Sequence, residues 1–290
     1  MAAFFLRGPL SRGPRDSGQV AVEAALVMPL FVFLILGIMQ LGLIAQARVM
    51  AKYAAYRAAR VGAMNNANPE AIEAAAILHL LPVLVSNSEV IMPTHSAEDV
   101  VKKFKQHTAG DLELTDGVKQ VKTVICSPLK GELDGSRSPS IDAADQRSRA
   151  NDTGPNAPGS GGEVDFDDPA NQAPPASFFL NGAGPLRRFN RTRLVVQIQL
   201  MYRMPIPFAN WVIVKSYLGA KIPSVLMMPG KGVTEREETS QVQDVLKADA
   251  AGIAVLPINV SYAMRMQSNL FLSKFAPPST NECISYGNPD

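Results

Sequence analysis

The sequence predicts an α+β protein: a long N-terminal transmembrane helix followed by a small domain with an antiparallel sheet and a disordered insertion. Three observations carry that reading. From Ala24 through Ala47 no side chain is charged, and at about 1.5 Å per residue the run can cross a hydrocarbon core about 30 Å thick. Arg193 to Met204 and Ala254 to Met264 each alternate apolar with other residues, the period of a strand with one face buried. Between residues 131 and 177 the composition shifts to Gly, Pro, Ser, Asn and Asp with almost no large apolar residue, too little to bury a core.

The elements follow in order. Residues 1–17 hold Arg7, Arg12, Arg15 and two prolines without any period, so they read as a flexible leader. The apolar run begins after Glu23, a carboxylate that is costly at a lipid edge unless it pairs, snorkels or serves a purpose. Pro29 lies inside the run, where it removes a backbone hydrogen bond and predicts a kink that neighbouring groups make tolerable. Beyond the run the helix continues. Arg48, Lys52, Tyr56 and Arg60 form one polar stripe, while Ala47, Ala51, Ala54, Ala58 and Val61 line another face. Gly62, or Asn65 and Asn66, closes a helix of about 45 residues and about 70 Å.

Asn68, Pro69 and Glu70 start a second helix that Pro82 stops. Ser96 with Asp99 opens a third, which ends by Gly110. Val118 to Cys126 is read as a strand. In Arg193 to Met204, the residues Leu194, Val196, Ile198, Leu200, Tyr202 and Met204 share the core face. Arg193, Gln197, Gln199 and Arg203 share the other, which predicts a half-buried strand ended by Pro205 and Pro207. Phe208 to Leu218 is apolar, but short and interrupted by Lys215, so a second span is not expected. Thr234 and Glu237 make a capping box for a charged helix to about Ala250. Pro257 marks the last strand as an edge or a bulge. The divisions are a leader over 1–18, the transmembrane and amphipathic helix over 19–64 and a helical and mixed segment over 65–130. The insertion over 131–177, a β-rich part over 178–276 and a tail over 277–290 follow.

The spacing of Gly18, Glu23, Pro29, Gly37 and Gly42 resembles the TadE-like family of Tad (type IVb, Flp) pilus assembly pseudopilins. Ala24 stands where an aromatic is common in that family, and Gln40 where an acidic residue often sits. The resemblance covers roughly residues 18–62. It implies that prepilin peptidase cuts after Gly18 and makes Gln19 the mature terminus, while Glu23 guides packing in the membrane. It also implies partners: membrane lipid, the peptidase, other pilins or pseudopilins and the pilus assembly platform. The implied location is the bacterial inner membrane, single-pass, with a cytoplasmic N-terminus and an extracytoplasmic domain. Charge alone leaves orientation open, because Arg48, Lys52, Arg57 and Arg60 balance the leader's three arginines.

Other chemistry finds little support. A net charge of +2 gives no field that argues for nucleic acid. Cys126 and Cys283 are the only cysteines and can pair in an oxidising compartment; two idle thiols remain the alternative. Asp134, Ser136 and Ser138 spell the D-x-S-x-S metal signature of von Willebrand A domains, as in TadG-like proteins, but no buried strand leads into it. Glu163, Asp165, Asp167 and Asp168 are acidic without the spacing of a calcium loop. His79, His95 and His107 are too scattered for zinc. Gly182 to Gly184 and Pro229 to Gly232 lack the phosphate-loop pattern, and the arginines around Phe189 read as strand-edge protection. No catalytic group can be picked out, so neither an enzyme nor a cofactor is expected. The alternatives are a secreted protein cut after Ala47, a membrane-tethered binding protein, a TadG-like metal-binding protein and a tethered periplasmic hydrolase.

Overall fold

The computed structural model describes residues 16–84, 96–108, 113–115, 117–129, 163, 164, 166, 192–227, 233–271, 278, 279 and 281–284. The expected insertion over 131–177 lies outside them, except for three residues. Two of these, Glu163–Val164, form a short strand, β4.

The N-terminal helix α1 spans Asp16–Met64, 49 residues, and continues unbroken through Pro29. Gly18 and Gln19 lie within it.

The turn after α1 places Asn66 and Ala67 at positive φ and leads into α2, Pro69–Leu80. Asn68 caps it: its Oδ1 accepts the Glu70 N–H at 3.0 Å, with Pro69 at the first helical position. Helix α3, Ala97–Thr108, opens on a reciprocal box in which Ser96 Oγ accepts from Asp99 N at 3.2 Å and Asp99 Oδ2 accepts from Ser96 N at 3.1 Å. A small hairpin follows, β1 (Glu113–Thr115) with β2 (Val118–Lys119), turning at Gly117, whose φ of 80° suits glycine.

The main sheet has three antiparallel strands in the order β3 (Val121–Ser127), β5 (Arg193–Arg203) and β6 (Val255–Arg265). Ile198 faces Thr123 on one side and Val260 on the other, which places β5 in the centre. Helix α4 (Ala209–Met227) and helix α5 (Val233–Ala250) lie between β5 and β6 in sequence. Strand β7 (Leu270–Phe271) pairs with β4.

One face of the sheet packs on α1. Ala47, Ala51, Ala54, Ala55, Ala58, Ala59 and Ala63 are buried in the same core as Leu194, Ile198, Leu200, Ile258 and Val260. Small side chains let helix and sheet approach closely. At Gly62 an added Cβ would meet Ile72 and Leu194 side-chain carbons at 2.7 Å.

The other face corrects the expectation of a half-buried strand. Every residue of β5 from Leu194 to Tyr202 is buried, including Gln197 and Gln199. The cover comes from two distant parts of the chain. Residues 281–284 cross one end, where Gln197 Nε2 donates to Ile284 O at 2.7 Å and Gln197 Oε1 accepts from Ile284 N at 2.8 Å. Helix α5 covers the other end through a paired amide contact, Gln241 Nε2 to Asn259 Oδ1 at 2.8 Å and Asn259 Nδ2 to Gln241 Oε1 at 2.9 Å. Buried amides are tolerable because these bonds satisfy them.

Candidate functional site

The site is α1 together with the contacts that fix the domain against it. Its first half is apolar and uncovered: Val22, Leu26, Met28, Leu30, Phe31 and Leu34 are each more than half exposed. Soluble domains do not leave so long an apolar surface to water. Among the described residues α1 is the one helix long and apolar enough to cross a membrane, and this supports single-pass anchoring.

Glu23 is exposed near the start of that surface. Gln19 precedes it by four residues, about one helical turn, within α1. Pro29 lies within the uncovered part. Gly37 and Gly42 each have open space where a Cβ would stand, so neither is required by packing among the described residues.

Cover begins at the upper end of the apolar run. Gln40 is wholly buried, and its Oε1 accepts the backbone N–H of Ile206 at 3.1 Å. That bond fixes the side-chain amide, whose Nε2 has no hydrogen-bond partner among the described residues. Gln40 was read from sequence only as the loss of an acid; here it ties α1 to the corner between β5 and α4. A polar residue inside an apolar run is the signal that marked it. A turn further on, Ile44 packs against the domain core.

Above this junction, α1 is held at several levels. Arg57 Nε donates to His79 Nε2 at 3.2 Å, while His79 Nδ1 lies 2.7 Å from Ala75 O, so the proton belongs on Nδ1. Tyr53 stacks edge-on against His79 at 5.5 Å, and Tyr56 against Tyr262 at 5.1 Å. At its end, Ala63 O accepts from Gln267 N at 3.0 Å and from Ser268 Oγ at 2.9 Å. Burial pushes the Tyr202 phenol up from its usual range, so it stays neutral.

Cys126 and Cys283 form a disulfide with Cα atoms 5.7 Å apart, across 157 residues of sequence. It joins β3 to the segment that covers the sheet. With Val124 and Val195 the two half-cystines make a small second core.

His79 thus bridges Arg57 and Tyr53 of α1 to α2. Among the described residues no three His, Cys, Asp or Glu side chains converge as a metal site would require. Asp134, Ser136, Ser138, Asp165, Asp167, Asp168, His95 and the segments 182–184 and 187–191 lie outside the described residues.

In comparison with protein families, residues 18–60 match the model of TadE-like protein. The match opens on Gly18 and closes at Arg60, one turn before α1 ends. No curated protein and no solved structure matches the chain.

Proposed function

We propose that this chain, TadE-like over residues 18–60, is a pseudopilin-like component of a Tad/Flp type IVb pilus assembly apparatus. The observation that carries the reading is a helix divided along its length. Its lower part, up to Ile35, is apolar and open, while the upper part is packed on its own domain through a face of alanines. Such a subunit has its folding contacts in the upper half and leaves the lower half for lipid and for neighbouring helices. Van der Waals packing and polar pairing drive helix association in lipid.

Under this reading prepilin peptidase cuts after Gly18. Because Gly18 lies within α1, the helix must unwind locally for that bond to enter the enzyme. The cut leaves the amine of Gln19 one turn from Glu23. Amine and carboxylate then neutralise each other within a subunit or between subunits, where an unpaired charge is unfavourable. The N-terminus is cytoplasmic and the domain extracytoplasmic. The disulfide between Cys126 and Cys283 supports that orientation, since such bonds persist in oxidising compartments.

Replacing Glu23 by Leu tests the role of the charge. The span becomes more apolar, so membrane fractionation should be unchanged, while surface pili should fall sharply in cells that depend on the variant. Wild-type piliation with Glu23→Leu would remove the charge from the account.

A further inference from the structure

The start of α4 carries an apolar surface that the fold leaves open beside the membrane segment. Phe208 is 70% exposed, Trp211 62% and Val212 37%, and Pro207 before them is exposed as well. Phe208 has a φ of 65°, a left-handed backbone that a bulky residue enters only at a cost, and its ring stays outside the core. One turn further the exposed face of α4 becomes polar. Lys215 Nζ pairs with Asp249 Oδ2 at 2.6 Å, and Ser216 Oγ bonds back to Val212 O.

The height of this surface is set by the bond from Ile206 N to Gln40 Oε1. From Glu23 to Gln40 the helix rises about 26 Å. A hydrocarbon layer about 30 Å thick that starts at Glu23 therefore ends about one turn beyond Gln40, near Ile44. The corner at Ile206 thus meets α1 at the lipid boundary, and the exposed Phe208 and Trp211 follow it two and five residues on.

We propose that Pro207, Phe208, Trp211 and Val212 seat in the interfacial layer of the bilayer on the domain side, beside the chain's own span. The occupant of this surface is phospholipid. The apolar residues follow directly on Ile206, whose N–H is bonded to Gln40 at the upper end of the exposed apolar run of α1, and the polar pair at Lys215 comes one helical turn after Trp211. Tryptophan suits that position because an apolar ring carries one polar N–H. The domain would then rest on the membrane at two points, α1 and the α4 corner. The proposal depends on α1 spanning the bilayer.

Trp211 is the only tryptophan in the chain, so its fluorescence reports on this surface alone. The full chain is reconstituted into phosphatidylcholine and phosphatidylglycerol vesicles, with and without acyl chains brominated near the headgroup. Co-flotation with the vesicles reports on the span separately. The expected result is co-flotation, a blue-shifted Trp211 emission and a several-fold loss of intensity with brominated lipid. A second protein with Trp211→Phe and Tyr262→Trp moves the reporter next to Tyr56, about 24 Å further along α1, and should lose the quenching. Co-flotation with water-like emission and no quenching would overturn the lipid contact and leave the span intact. Blue-shifted emission without quenching would overturn it in favour of a second copy. Failure to float would overturn the span and the proposal with it.

Discussion

Gly62 shows how one residue sets the distance between elements. A side chain there would run into Ile72 of α2 and Leu194 of β5, both buried with no room to move. Gly62→Val should therefore destabilise the domain by about 1–3 kcal/mol, the usual range for overpacking a tight core. Urea titration of the detergent-solubilised chain, followed by near-UV circular dichroism, measures this. An unchanged midpoint would mean that the helix and sheet have slack there. The sequence ends the helix at Gly62 or near Asn65 and Asn66; the structure ends it at Met64 and keeps Gly62 inside it as a point of close approach. Gln40 makes the same point from the polar side. Its burial follows from a partner, Ile206, that lies far along the chain, so its amide seemed only a missing charge.

At the scale of elements, local pattern was readable wherever the cause was local. The cap at Asn68, the box at Ser96 with Asp99 and the period of β5 all rest on residues within a turn or two of each other. What covers an element was not readable. Alternation told which side chains of β5 share a face, but not that residues 281–284 and α5 would close over Gln197 and Gln199. Helix α4 runs through Lys215, whose charge is met by Asp249 from α5 rather than ending the element. The pairing of Cys126 with Cys283 likewise needed the fold to bring them together. Because this bond ties the covering segment to β3, replacing both cysteines by serine should cost about 2–5 kcal/mol. The same change should expose the chain after residue 277 to limited proteolysis sooner than in the unaltered protein. Equal stability and equal proteolysis would show that the hydrogen bonds to Gln197 hold the segment without help.

For the whole molecule, the central feature is the division of α1 into an open apolar half and a half that organises the sheet. Two constraints meet in this one helix. Its alanine face must stay small for the sheet to approach, and its lower surface must stay apolar for lipid. The apolar run and the alanine stripe were both plain in the sequence because both are periodic on a single helix. Where the domain first meets α1 was not, because it depends on the β5–α4 corner reaching back to Gln40. The proposed role turns on whether the leader is removed ahead of Glu23. Mass spectrometry of the protein's N-terminus, isolated from native cells that possess prepilin peptidase, tests this most directly. A mature chain beginning at Gln19 is the predicted result; an intact leader, or a chain beginning at Arg48, would contradict it.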